Sequence, residues 1–344
     1  MAEDDAPQAT PWPELLPWQH DTAATALRGR ATWPHALLIT GMRGIGKRTL
    51  AQNYARALLC EDVRAGGFAC GVCDSCRYVH AGAHPDLMTL EPIERDDDGS
   101  VKVLEFIRVD DVRALTEWAS ITAHRRRAKV ALIVPADALS VASANALLKT
   151  LEEPPPDTYM ILVSHQPGRL PATLRSRCRI SPAPVPDAEV ARAWLAKQGA
   201  KDPETLLAQA GGAPLRALEL AHATWRDERS AWLTALSKPK ELSVVALAAR
   251  LEAAPKDERK ERLGLAIDWL AAWVSDLARL AAGGKSLRNP DFAAPLALLA
   301  SAVAPVSLFR YHRSLMRQRA LVAHPLQPRL VAEALLLEYR ELFR

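Results

Sequence analysis

The sequence predicts an α/β domain built on a parallel sheet, followed by an all-helical remainder. Three observations carry this. Short apolar runs alternate with helical patterns through the first half of the chain, the last run ending at Ser164. A proline-rich stretch, Ser181 to Asp187 (SPAPVPD), follows soon after and suits a linker. From Ala188 on the strand signals vanish, and Ala- and Leu-rich helical patterns take over. Strand and helix in alternation build a parallel sheet covered on both faces.

Taken in order, His35 to Thr40 (HALLIT) is a short apolar run ending in a glycine loop and reads as a buried strand. Lys47 to Leu59 follows with helical spacing, and Asp86 to Leu90 is a second strand. Asp110 is placed to cap a helix through Trp118. Lys129 to Val134 (KVALIV) is a third strand. Ala142 to Glu153 is helical and stopped by Pro154, Pro155 and Pro156, since proline cannot continue a helix. Tyr159 to Ser164 (YMILVS) is the fourth strand. In the second half, Gly211-Gly212 and Gly283-Gly284 break the helical patterns, and Leu263 to Leu280 is one long helix. The run Arg95 to Gly99 (RDDDG) reads as an exposed turn.

A chain of 344 residues predicts two or three domains. The expected division is an α/β domain over 1–182 with an insert at 60–76, a small helical domain over 183–225, and a larger helical domain over 226–344. The net charge of +4 permits nucleic-acid contact without demanding it, because DNA-binding domains concentrate their basic residues on one face. The acidic start Met-Ala-Glu-Asp-Asp has no apolar core of a secretory signal. The uncharged stretch Phe292 to Phe309 approaches membrane-spanning length, but Pro295 and Pro305 interrupt it and much of it is alanine, so it reads as buried helices. These features predict a cytoplasmic protein with no membrane partner. Its five cysteines are then reduced, and clustered ones are metal ligands sooner than disulfides.

Gly41-Met42-Arg43-Gly44-Ile45-Gly46-Lys47 follows a strand and opens a helix, the context of a phosphate-binding loop. Gly41, Gly44 and Gly46 let backbone N–H groups approach phosphates, the helix N-terminus adds a favourable dipole, and Lys47 stands where the phosphate-binding lysine belongs. The next position calls for a Ser or Thr hydroxyl to hold Mg²⁺, and Arg48 occupies it. The third strand repeats the loss. It ends in Val134-Pro135, where an ATPase carries an Asp for the metal and a Glu to activate water. Asp137 comes three positions late, beyond a proline, and reads as a turn residue. The loop is therefore vestigial, and ATP hydrolysis at this site is not expected.

Cys60, Cys70, Cys73 and Cys76 are spaced C-x9-C-x2-C-x2-C. A CxxC turn lets two sulfurs converge on one ion, and four soft ligands suit tetrahedral Zn²⁺. An iron–sulfur cluster is the rival, but ferredoxin-type runs continue C-x3-C-P, and Cys76 is followed by Arg77-Tyr78-Val79-His80. His80 is an alternative ligand. Four cysteines leave no open coordination position, so such a zinc is structural.

Two strings identify a family. Asn145 to Pro155 reads NALLKTLEEPP, and Leu170 to Cys178 reads LPATLRSRC. With HALLITG, the cysteine run and His84-Pro85-Asp86-Leu87, they closely resemble the clamp-loader subunits of bacterial DNA polymerase III, an AAA+ family. The resemblance is dense from residue 11 to 180 and general beyond. Two kinds of subunit share the motifs: gamma/tau motors, with an intact loop and an Asp-Glu at the third strand, and delta-prime subunits, whose nucleotide motifs are degenerate. With Arg48, Val134 and Pro135 at the deciding positions, the chain is similar to the second kind. The delta subunits are less similar, lacking the cysteine module and the Ser-Arg-Cys string.

The resemblance implies an AAA+ domain, a helical lid and a C-terminal helical collar that joins subunits into a hetero-oligomer. It implies as partners gamma/tau and delta subunits, and, through the assembly, the sliding clamp and primed DNA. It also implies that Arg177, the arginine of Ser-Arg-Cys, reaches ATP held by a neighbouring subunit. A guanidinium suits that task, being always charged and forked to match phosphate oxygens. Arg175 and Arg179 read as a basic strand edge or surface ion pairs. Ser164 stands where AAA+ proteins carry a sensor-1 polar residue, or is a plain strand-end serine. Arg216 resembles a sensor-2 arginine shifted by one residue, which favours a helix-surface role. Arg125-Arg126-Arg127 reads as a solvated loop in preference to a DNA contact. Two rival functions remain: an ATP-hydrolysing gamma/tau-type motor, which Mg-dependent ATP binding would reveal, and a nucleic-acid-binding module, which steep salt-dependent affinity would reveal.

Overall fold

The computed structural model describes residues 12–344 apart from 96–99, 126, 257, 286, 323 and 325–326. The acidic N-terminus, Arg126 and, but for the backbone of Arg95, the turn expected at 95–99 lie outside the described residues. The chain divides into two compact units, Met1–Val190 and Ala191–Arg344.

The first unit holds α1 (His20–Arg28), β1 (Ala36–Thr40), α2 (Lys47–Leu59), α3 (Asp74–His80), β2 (Leu87–Leu90), β3 (Ile93–Arg95), β4 (Val101–Val103), α4 (Val109–Ser120), β5 (Lys129–Ile133), α5 (Val141–Glu152), β6 (Thr158–Ser164), α6 (Ala172–Arg175) and β7 (Arg179–Pro182). Five strands form one sheet in the order β2-β5-β6-β1-β7, every neighbour parallel. Every residue of β5 is buried, as are four of five in β1, which is what a sheet covered on both faces requires. The glycine loop leaves the C-terminal end of β1, flanked by β6 and β7.

Three details depart from the sequence reading. Helix α4 begins earlier than expected, with Arg108 at its N-cap in extended conformation. Asp110 and Asp111 lie in the first turn, where their charge complements the helix dipole instead of capping it. A fifth strand, β7, takes up Ser181 and Pro182, the first residues of the expected linker; Pro182 pairs with Thr40, and a sheet edge tolerates proline there. A short antiparallel hairpin, β3–β4, follows β2 and carried no clear sequence signal. The expected helical stop before the three prolines is met, and Ser140 caps α5 by accepting the Ser143 N–H at 3.1 Å.

The second unit is helical: α7 (Ala188–Lys197, begun in the last residues of the first unit), α8 (Pro203–Gln209), α9 (Pro214–Ala221), α10 (Arg226–Leu236), α11 (Val244–Ala249), α12 (Arg259–Ala281), α13 (Ala293–Ala300), α14 (Pro305–Leu321) and α15 (Pro328–Glu341). From α10 on, a hydrophobic core gathers around Trp232, Trp273 and Tyr339. The Trp273 indole N–H donates to Tyr339 Oη at 2.8 Å, which donates in turn to the Leu236 carbonyl at 2.8 Å, so the polar tips of these two residues are satisfied. The stretch 292–309 is only partly buried: Leu296, Leu299 and Leu308 face the core, while Leu298, Val306 and Phe309 are exposed. No helix among the described residues is long and apolar enough to cross a membrane.

Candidate functional site

The loop between β1 and α2 has the backbone of a phosphate-binding loop. Gly41, Gly44 and Gly46 all take positive φ. Gly46 is the α2 N-cap at φ 88°, and a Cβ there would stand 2.2 Å from Leu16 Cδ1, so only glycine fits. Lys47 follows, 2% exposed, with its ammonium turned back on the loop: Nζ donates to the Gly41 carbonyl at 2.7 Å and the Met42 carbonyl at 2.6 Å. Burial lowers its pKa to about 8 against the opposing pull of Asp137. The Trp18 indole donates to the Ile45 carbonyl at 3.0 Å and the Gln19 amide to the Gly46 carbonyl at 2.7 Å, bracing the loop from the N-terminal side.

The metal half of the site is occupied by other contacts. Arg48, in the hydroxyl position, forms an ion pair with Glu91 beyond the end of β2. Val134 and Pro135 end β5 without a carboxylate. Asp137 is more than a turn residue. Its carboxylate accepts the Ser164 hydroxyl at 2.6 Å and the His165 N–H at 2.5 Å, tying the end of β5 to the end of β6. Ser164 is thus fully buried in a structural bond. Beside it His165 is half-buried, and desolvation together with Lys47 pushes its pKa down to about 4.

The four cysteines converge. Cys60 caps the end of α2, Cys73 caps α3 and Cys76 lies within it, and all four sulfurs are within 4.8 Å of one another. Sγ of Cys60 and Cys73 are 3.9 Å apart, and those of Cys70 and Cys76 4.0 Å. Disulfide sulfurs sit about 2 Å apart, so these are free thiols. Sulfurs about 2.3 Å from a tetrahedral ion stand about 3.8 Å from one another, so the set fits a single ion. Backbone N–H groups of Val72 and Cys73 donate to Cys70 Sγ and lower its pKa to about 6, whereas burial raises Cys60 and pushes Cys76 up to about 12 in the absence of an ion's charge. His80 is exposed and outside the cluster.

The module is anchored by residues to which no role was assigned from sequence. The Asp86 N–H donates to His84 Nδ1 at 3.0 Å, which places the ring proton on Nε2. That nitrogen donates to Ser75 Oγ at 2.7 Å, and Ser75 donates to the Leu59 carbonyl at 2.8 Å. The Asp86 carboxylate accepts the N–H groups of His124 at 2.8 Å and Arg125 at 2.9 Å. Arg125 then pairs with Glu61 at 2.5 Å and lies over the Tyr78 ring at 5.3 Å, and Arg127 donates to the Glu61 carbonyl at 2.7 Å. Both arginines reach the cysteine module from a largely exposed loop, in which Arg127 is exposed and Arg125 partly buried.

Arg177 follows α6. Its guanidinium donates to the Thr173 carbonyl at 2.7 Å and pairs with Glu152, the last residue of α5. Arg216 is exposed on α9. The structure thus brings together Gly41, Gly44, Gly46 and Lys47 in one loop and the four cysteines in another cluster. The sequence held no sign of Glu91 and Glu152 as partners of Arg48 and Arg177, because ion pairs distant along the chain leave no local pattern.

A parallel sheet carrying a phosphate-binding loop, joined to a helical remainder, defines an AAA+ P-loop protein. Sequence comparison narrows the class. The family profile described as "DNA polymerase III, delta subunit" matches residues 25–184, and its C-terminal counterpart matches 223–341. The chain is 39% identical over 272 residues to "DNA polymerase III subunit delta'" of Pseudomonas aeruginosa, spanning 77% of this chain and 78% of that one. With the delta' subunit of Escherichia coli K12 it shares 34% over 302 residues, 86% and 85% of the two chains. With "DNA polymerase III subunit tau" of the same organism it shares 39% over 144 residues, 42% of this chain and 20% of tau. The chain belongs to the delta-prime family of DNA polymerase III subunits, clamp-loader components of DNA replication.

Proposed function

We propose that this chain is a clamp-loader subunit that does not hydrolyse ATP itself and that lends Arg177 to the ATP site of a neighbouring subunit while the sliding clamp is loaded onto primed DNA. The observation that carries the reading is the state of the nucleotide loop. The hydroxyl position for Mg²⁺ is held by Arg48 in an ion pair, and the acid nearest β5, Asp137, is bound to the end of β6. The backbone cradle and Lys47 remain, but at the end of β5 and after Lys47 the described residues offer no side chain free for the metal or the attacking water. Arg177 by contrast lies at the surface, a third exposed.

In this reading residues 1–182 form the AAA+ domain, 183–225 a lid and 226–344 a collar. The collar gathers gamma/tau and delta subunits into a cytoplasmic hetero-oligomer, and the sliding clamp and DNA are met through that assembly. The ion suited to Cys60, Cys70, Cys73 and Cys76 is zinc, with a structural role, since all four positions of a tetrahedron are taken by protein. The partial likeness to tau favours a motor, but Arg48, Val134 and Pro135 argue against it.

The test is reconstitution of the loader with wild-type chain or with Arg177→Ala. Fingers of this kind are worth about 10³- to 10⁵-fold in other NTPases. A loss approaching that range in one ATP site, with the assembly intact, is the expected result. Undiminished turnover by every site of the assembly overturns the assignment.

A further inference from the structure

We infer that Glu152 is the positioning residue for Arg177, an inference that rests on the reading of Arg177 as a group acting on a neighbour's nucleotide. Glu152 closes α5, just before Glu153 and three prolines. A carboxylate there faces the negative end of the helix dipole, so the helix gains nothing from it. Its ion pair is with Arg177, and the two residues come from different elements, α5 and the turn after α6.

The contacts leave the guanidinium usable. Arg carries five N–H donors and no acceptor. One is directed from Nη2 to the Glu152 carboxylate and one from Nη1 to the Thr173 carbonyl. Three, including Nε–H, meet no acceptor among the described residues and are left for a ligand arriving from outside. With the side chains of Arg177 and Glu152 33% and 48% exposed, the pair sits where an incoming neighbour can reach it. A long flexible side chain loses rotamer freedom when fixed. Glu152 fixes Arg177 before the neighbour docks, so that loss does not fall on the engagement step, and preorganised groups stabilise a transition state without reorganising.

A double-mutant cycle in the reconstituted loader tests this, using wild type, Arg177→Ala, Glu152→Ala and the double variant. Glu152→Ala is expected to lower kcat for ATP by about two- to fivefold, the worth of an ion pair at a surface. KM is expected to stay put, because the neighbour binds the nucleotide. Glu152→Gln keeps an acceptor oxygen of the same reach and should fall between; it carries the cycle should the alanine variant fail to assemble. In the Arg177→Ala background neither change at Glu152 should cost anything further. Unchanged kcat in Glu152→Ala and Glu152→Gln, or an equal loss with Arg177 already removed, overturns the inference while leaving Arg177 in its role. Full turnover by Arg177→Ala alone refutes the underlying reading and the inference with it.

Discussion

Asp86→Ala should unlatch the cysteine module and lower the stability of the first unit. Asp86 is fully buried and its carboxylate accepts two backbone N–H groups, from His124 and Arg125. A hydrogen bond to a charged group contributes about 1.5–3 kcal/mol, so two amount to about 3–6 kcal/mol. His124 is exposed, and water reaching its N–H recovers part of the loss, which sets the expectation at the lower end, about 3 kcal/mol. For a unit of this size that corresponds to a fall in Tm of about 6–12 °C. Asp86→Asn keeps one acceptor and should lie between. The wild-type protein should carry one zinc per chain, and a chelator should strip it faster from Asp86→Ala, because the lost carboxylate holds the 124–125 segment whose Arg125 pairs with Glu61 beside Cys60. Calorimetry and chelator-coupled zinc release read both effects. An unchanged Tm in Asp86→Ala, with zinc release at the wild-type rate, would refute the reasoning.

Arg48→Thr restores the hydroxyl that a Mg²⁺ site needs and frees Glu91, yet the isolated chain should still show no Mg-dependent ATP hydrolysis, because β5 offers no acid and Asp137 is committed to β6; measurable turnover would contradict the reading. His165 gives a pH prediction. Its folded pKa of about 4 lies below the ordinary 6.5, so as pH falls through that window the unfolded chain takes up the proton first and stability declines. The decline from this group is at most about 3 kcal/mol and should be flattened in His165→Gln, as read by denaturant midpoints at pH 7 and pH 4.5.

The strands of the first unit were legible because each is an apolar run bounded by breakers, and burial on both faces demands such runs: HALLIT, KVALIV and YMILVS all became sheet. β7 was not, since Arg179 to Pro182 is a charged, proline-ended segment at the sheet edge, where pairing with β1 overrides its composition. The cysteine ligand set was legible in its spacing, which is local. Its anchorage was not. His84 and Asp86 stand in a string that pointed to a family without showing what the two side chains do, and their partners Ser75, His124 and Arg125 lie 9 to 39 residues away. The same holds for Asp137, whose distance from β5 suggested a turn while its 2.6 Å bond to Ser164, 27 residues on, gives it a definite task.

The loop that carries Arg48 and the site of Arg177 differ in how far their basic side chains are engaged within the chain. Lys47 is 2% exposed, its ammonium bound to carbonyls of its own loop, and the loop is held in turn by Trp18 and Gln19. Such a loop is a packed corner of the domain, and burial of the lysine is made tolerable by those carbonyls and by Asp137. The positions that would serve a metal hold Arg48 and Val134-Pro135, with Asp137 beyond them, and Arg48 and Asp137 each have a bond of their own. Reverting one position therefore breaks a present contact without completing the site. Arg177 and Glu152 are both more than 30% exposed and use only two of the guanidinium's donors within the chain. Lys47 has closed on its own loop, whereas Arg177 at the surface meets only Glu152 and Thr173 among the described residues, the arrangement that the proposed role toward a neighbouring subunit calls for.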